Sequence, residues 1–270
     1  IALATQLIIE ANFRLPAAVQ AKLAELSATE SAAAAKAALG DLATNARLAE
    51  QERLPLCQDT GTAVFFVELG HEVQLEEPLE QTLERAVDTA YRDNYLRASI
   101  VRDPLIDRTN TGNNCPPVVH LKQVAGNTLT LKFLPKGGGA ENKSVVKMLR
   151  PVDGRAGVIR TVVEAAQVAG GASCPPWLIG IGIGGSFDSV AEAAKEALLR
   201  PLGEPHSQAE YAELEQEIAA QVEALKVGAL GLGGKKTVMA VHIEARPTHI
   251  ASLPVAVNFQ CHSARVAVGE

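Results

Sequence analysis

Trp177-Leu178-Ile179-Gly180-Ile181-Gly182-Ile183-Gly184-Gly185-Ser186 is the stretch on which the fold turns. Residues 177–183, apolar and interrupted by glycine, read as a buried strand, and Ser189–Leu199 reads as a helix. Gly180, Gly182 and Gly185 satisfy G-x-G-x-x-G after a strand, the pattern of a dinucleotide site. That site needs an acidic residue at the end of a second strand about twenty residues on. Here Glu196 and Glu204 fall in or after the expected helix. The glycines are left to serve close backbone approach, to a ligand or to another chain segment. Ser186 lacks the G-x-S-x-G elbow of a nucleophile.

Outward from this unit, strands and helices are interspersed, which predicts a mixed α/β (α+β) fold in one domain over 1–270. Its helical part covers 1–50 and its chemistry-bearing part 51–270. Helices are expected over Ile1–Ala11 and Ala17–Leu26, and a capping box at Ser27-Ala28-Thr29-Glu30 should open another toward Leu48. Thr62–Leu69 reads as a strand and Pro78–Tyr91 as a helix. Val118–Val124 and Thr128–Leu134 read as a hairpin turning near Gly126-Asn127. Helices follow over Glu141–Leu149, Gly157–Ala169 and Ser207–Leu225, and strands over Thr237–Glu244 and Ser252–Phe259. Gly228–Gly234 reads as the most flexible joint.

Of the 270 residues 47% are hydrophobic and 4% aromatic, and the net charge is −6. A general nucleic-acid surface is disfavoured by that charge, so an anionic substrate has to be met by local donors. No apolar run is long enough to cross a membrane. With no secretion signal at the start, a cytoplasmic protein is expected.

The four cysteines, Cys57, Cys115, Cys174 and Cys261, form no C-x-x-C pair. That excludes a zinc ribbon and a dense disulfide scaffold. They are either inert core thiols or ligands gathered by the fold. Cys57, Cys174 and Cys261 each sit at a strand–loop junction. In Pro135–Ser144, Gly137 and Lys143-Ser144 are in phosphate-loop register, but Asn142 replaces the second required glycine, so nucleotide binding is rejected. Its three successive glycines still suit an anion such as a carboxylate. Of six histidines, His242 alternates within a strand and reads as core, whereas His249 lies between two strands.

Taken together, Cys57-Gln58-Asp59-Thr60-Gly61, Asn110–Asn114, Lys136–Gly139 with Asn142–Ser144, Cys174-Pro175-Pro176, Gly182–Gly185, Leu199–Leu202 and Val257–Cys261 resemble the class I, iron–sulfur fumarate hydratases in their alpha region. The resemblance runs from Asp41 onward. It implies a [4Fe–4S] cluster held by Cys57, Cys174 and Cys261, leaving one iron without a thiolate, with Cys115 structural. It implies a hydro-lyase that interconverts fumarate and malate. Gln58, Asp59, Arg97, Gly138, Gly139 and His249 become substrate contacts, and Asp59 and His249 carry the catalytic assignment within this chain. Single-chain members continue past the third cysteine into a domain that supplies the proton-abstracting group. The resemblance therefore implies a beta subunit and an α2β2 assembly. Tartrate dehydratase alpha subunits resemble the same pattern. A cluster-bearing redox sensor and a metal-free scaffold are the readings from other classes.

Overall fold

The computed structural model describes residues 1–270. In chain order its elements are α1 (Ala2–Phe13), α2 (Ala17–Thr29), α3 (Ala33–Glu52), β1 (Thr62–Gly70), α4 (Leu79–Asp93), β2 (Val118–Val124), β3 (Leu129–Lys136), the one-turn α5 (Gly138–Glu141), β4 (Val145–Leu149), α6 (Gly154–Ala169), β5 (Trp177–Gly185), α7 (Phe187–Glu196), α8 (Ala209–Glu223), β6 (Val238–Thr248), β7 (Leu253–Gln260) and β8 (Ala267–Gly269). The fold is mixed α/β with a helical N-terminal part, as the sequence predicts. The chain packs as two compact units. One comprises Ile1–Pro16, Ala46–Gly138 and Arg265–Glu270, the other Ala17–Asn45 and Gly139–Ala264.

The first unit is built on a sheet of order β2-β1-β3-β8. Alternation along β1 sends Ala63, Phe65 and Val67 to one face, where they meet Leu131 and Phe133 of β3. Helix α1 presents Ala4, Leu7, Ile8 and Ala11, and α4 presents Leu83, Ala86, Val87, Ala90 and Tyr91, all to this core. Both sets follow the three-and-four spacing of one helix face. Opposite, Phe66 stacks on His120 with ring centroids 4.5 Å apart.

Strands β2 and β3 do not form the expected hairpin. β1 lies between them, parallel to β2 and antiparallel to β3. The Gly126 turn instead clasps the end of β1: the Gly70 N–H donates to the Thr128 carbonyl at 2.8 Å and the Glu72 N–H to the Gly126 carbonyl at 3.0 Å. A turn signal marks where a chain reverses; it carries no information about a third strand entering the gap.

The second unit has a sheet of order β4-β7-β5-β6, with β5 parallel to β6 and antiparallel to β7. On one face Trp177, Ile179, Ile181 and Ile183 join Val162 of α6 and Ile218 and Val222 of α8 in the larger core. On the other, α7 lies directly on Gly180 and Gly182. A Cβ on Gly180 would sit 2.1 Å from the Ala194 carbonyl oxygen, and one on Gly182 2.2 Å from that of Val190. The glycine pattern is thereby explained as helix-on-strand contact, with α7 where a dinucleotide reading would need room. Ser186 and Ser189 cap the start of α7 reciprocally.

Three local expectations are corrected. Residues 145–149 form β4, paired antiparallel with β7 from Val145↔Val257 to Leu149↔Leu253, where a helix over Glu141–Leu149 is expected. The adjacent valines are strand formers, and an available edge of β7 decides between the two states. Ser27-Ala28-Thr29 remains inside α2. Glu30, 3% exposed, takes the capping role, accepting the N–H groups of Ser31 and Ala32 at 2.6 and 2.8 Å. Gly228–Gly234 is a packed turn and no joint: Ala229 is buried, and the Glu30 carboxylate accepts the next two N–H groups, of Lys235 and Lys236, at 2.8 and 3.0 Å. Strand β8 is too short to announce itself in the sequence.

Candidate active site

In the first unit the loop from Leu56 to Gly61 carries Cys57, Gln58 and Asp59 into β1. Cys57 and Asp59 are half-buried and Gln58 is exposed. Both carboxylate oxygens of Asp59 are fixed: Oδ1 accepts the Gly61 N–H at 3.0 Å and Oδ2 the Gly138 N–H at 2.8 Å. Gly61 has φ +76°, and a Cβ there would meet the Lys136 backbone at 2.7 Å, so this turn demands glycine.

Surrounding side chains pin the same loop. The Asn12 carbonyl accepts the Leu56 N–H at 2.8 Å, and the Arg265 guanidinium donates to the Asp59 carbonyl at 3.0 Å and to Asn12 Oδ1 at 3.3 Å. Thr60 Oγ1 donates to the Arg97 carbonyl at 2.6 Å, and Asn114 Nδ2 to the Gly61 carbonyl at 3.1 Å. Asn114 Oδ1 also accepts the Ser99 N–H at 2.8 Å, which ties the Arg97 segment to the loop. Tyr91 donates its hydroxyl to the Thr60 and Gly61 carbonyls, and burial pushes its phenol up to about 12. Arg97 itself is exposed.

Gly138, expected as a donor to substrate, already donates its N–H to Asp59. Gly139 is exposed at the start of the second unit. The first unit therefore gathers Cys57, Gln58, Asp59 and Gly138 about one turn, with Arg97 tied to it through its backbone.

In the second unit Cys174 and Cys261 are brought together. They follow α6 and β7 to the same end of the sheet, and the His262 N–H donates to the Cys174 carbonyl at 3.1 Å. Cys174 is exposed and adopts the left-handed conformation, φ +52° and ψ +65°, an uncommon state for a residue with a side chain. Its position is braced from behind. Its N–H donates to the Gly171 carbonyl at 3.1 Å, and the Leu230 N–H donates to the Pro175 carbonyl at 2.8 Å. Cys261 is half-buried.

His249 is not brought to that end. It is exposed in the β6–β7 turn, where Thr248 pairs with Gly185 at the far end of β5. The eight residues of β7 separate it from Cys261 by about 23 Å. Within this unit, His249 and the two cysteines therefore lie at opposite ends of the sheet. Alternation patterns locate strands but not which strand end a loop occupies. His249 lines a separate cavity of about 460 Å³ with Arg155, Tyr211, Leu214, Ile250 and Leu253. Its Nδ1 accepts the Ala251 N–H at 3.1 Å, so in the neutral ring Nε2 carries the proton.

Cys115 differs from the other three thiols. It is buried, its Sγ lies 3.4 Å from the Glu84 carbonyl, and burial first, then the charges of Glu84 and Asp88, push it up to about 11. No group of three or more His, Cys, Asp and Glu side chains is arranged to hold a single metal ion. Thiolates on different irons of one cluster stand farther apart than ligands of one ion.

No sequence motif marks Asn12, Tyr91 or Arg265. Asn114 had a signal, since it ends the Asn110–Asn114 motif. Arg265, in an apolar C-terminal segment, carries the sequence signature of an ordinary surface arginine.

A family model described as fumarate hydratase (Fumerase) matches residues 1–270. A Methanocaldococcus jannaschii protein provisionally named L(+)-tartrate dehydratase subunit alpha is 38% identical over 269 residues, covering 97% of this chain and 94% of its own. The L(+)-tartrate dehydratase alpha subunit of Escherichia coli is 33% identical over 265 residues, covering 95% and 88%. That of Shigella sonnei is 33% identical over 267 residues, with the same coverage of 95% and 88%.

Proposed function

The chain belongs to the fumarate hydratase family, and from that premise we propose that it is the alpha subunit of a [4Fe–4S]-dependent hydro-lyase interconverting fumarate and malate. Cys57, Cys174 and Cys261 would hold the cluster. The donor set fits. These three thiols are exposed or half-buried at the mouths of strands, whereas Cys115 is buried. Soft thiolates are the ligands such clusters take, and three of them leave one iron free for substrate. When bound, the cluster supplies a Lewis acid that eases departure of the C2 hydroxyl.

The chain's own groups supply orientation. Asp59, held by two backbone N–H groups, presents a fixed carboxylate beside Cys57. Gln58 offers an exposed amide to the hydroxyl, and Arg97 an exposed guanidinium suited to a bidentate carboxylate contact. Gly139 offers a backbone donor; Gly138 acts by holding Asp59. His249 is assigned as a hydrogen-bond or proton-transfer partner to the bound hydroxyl, and its own unit holds it a strand's length from Cys174 and Cys261. The group that takes the C3 proton belongs to a beta subunit, in an α2β2 assembly, and the protein works in the cytoplasm. What supports this reading most is the family match over the whole chain together with the Cys57–Asp59 turn, in which both oxygens of the Asp59 carboxylate accept backbone N–H groups.

A second reading is L(+)-tartrate dehydration, favoured by the names of the three relatives. The chemistry is the same, with one more hydroxyl on the substrate. Anaerobic reconstitution with iron, sulfide and the beta partner, followed by assays on fumarate, malate and L-tartrate, tests both. Fumarate and malate should be turned over with the higher kcat/KM. A tenfold preference for tartrate would select the second reading. A chain that takes up cluster yet turns over none of the three acids would be the redox sensor, and one that takes up no cluster refutes the proposal.

A further inference from the structure

Arg265 is 1% exposed, and it has no carboxylate partner. One nitrogen donates to the Asn12 amide oxygen at 3.3 Å, another to the Asp59 backbone carbonyl at 3.0 Å, and Nε is buried with no hydrogen-bond partner. A guanidinium taken out of water without a counter-charge is destabilising. Two hydrogen bonds to neutral oxygens recover part of that. A buried cation of this kind favours an anion in contact, and its two hydrogen bonds both go to neutral oxygens.

What it touches indicates where the anion sits. Arg265 contacts the carbonyl of Asp59, two residues from Cys57, and Asn12, whose own carbonyl holds Leu56 on the other side of Cys57. Asn12 is itself fixed, donating Nδ2 to the Ile8 carbonyl at 2.9 Å inside α1. One buried cation thus grips both flanks of the Cys57 turn.

We propose that Arg265 is the positioning residue of this turn and the counter-charge for the anionic group bound there. Resting on the proposed function, that group is the thiolate-held iron–sulfur cluster with its dicarboxylate. Arg265 touches neither directly; it acts through the turn and through its field. With the anion absent the guanidinium is a burden on the fold, and with it present a stabilising partner.

The test compares the full-length wild type with Arg265→Met, Arg265→Lys and Arg265→Gln, each reconstituted anaerobically with ferrous iron and sulfide. Iron and sulfide per chain, the visible absorption band and the melting temperature of metal-free protein are read. Arg265→Met should melt within a few degrees of wild type when metal-free, yet retain several-fold less iron after desalting. Arg265→Lys, which keeps the charge, should recover most of the iron. Met and wild-type chains loaded alike would overturn the inference, as would iron loss that merely follows a collapse in melting temperature. Should the Met variant not fold, Lys against Gln decides: Lys retaining iron where Gln loses it supports the counter-charge, and equal retention overturns it. A wild type that takes up no iron refutes the cluster reading itself, and this inference with it.

Discussion

Cys115 and His242 show what burial does to a single titratable side chain. The Cys115 thiol, raised to about 11, stays protonated at pH 8 and is shielded. Iodoacetamide applied to metal-free protein should therefore label Cys57, Cys174 and Cys261 and spare Cys115, which peptide mass spectrometry reads directly. His242 is buried on β6, with Nδ1 3.2 Å from the Ala197 carbonyl. Burial first, and the nearby Arg200 charge second, depress it from 6.5 to about 4. The unfolded chain then binds this proton at higher pH than the folded one. The neutral ring contributes in full above pH 6.5, and stability is lost as pH falls from there through about 4. The loss is on the order of 3 kcal/mol for this group. Denaturant melts at pH 7.5 and 4.5 should show a smaller acid loss in His242→Gln than in wild type.

At the scale of elements, two contacts carry the second unit. Helix α7 can lie on β5 only because Gly180 and Gly182 have no side chain. Gly182→Ala would force a methyl against the Val190 carbonyl, a main-chain atom that cannot rotate away. It should destabilise the protein by about 3 kcal/mol, measured as a shift of the urea midpoint. An unchanged midpoint would mean that α7 is not seated on β5. Glu30 is the second contact. Burial pushes its carboxyl up, but the N–H groups of Ala32, Lys235, Ser31 and Lys236 outweigh that and hold it below its ordinary range. Glu30→Gln exchanges an acceptor oxygen for a donor facing these N–H groups, and should cost roughly 2 kcal/mol in the same melt. Elements with strong periodicity were legible: α1, α4, α6, β1 and β5 fall where their apolar spacing places them. Strand β4 and the separation of β2 from β3 were not, because each depends on an edge offered by a strand far along the chain.

For the whole molecule, the prediction concerns company. In the proposed reading the groups on this chain bind and orient, and a beta subunit supplies the group that takes the C3 proton. Turnover of fumarate by the cluster-loaded chain alone should fall roughly 100-fold or more below that of the chain mixed with its beta partner, the contribution expected of a positioned general base. A steady-state assay across a titration of partner should rise to saturation. A chain fully active by itself would remove the need for the beta subunit. No helix is long and apolar enough to cross a membrane.

Residue types and their local order were sufficient for the family and for the mixed α/β class, since motifs and periodicity act over a handful of neighbours. Three matters waited for the folded chain: the insertion of β1 between β2 and β3, the placing of His249 a strand's length from Cys261, and the grip of Arg265 on a carbonyl 206 residues away. Strand order, strand ends and buried charge are set by contacts between segments remote in sequence. Their energies depend on which surfaces meet, and no local pattern records that.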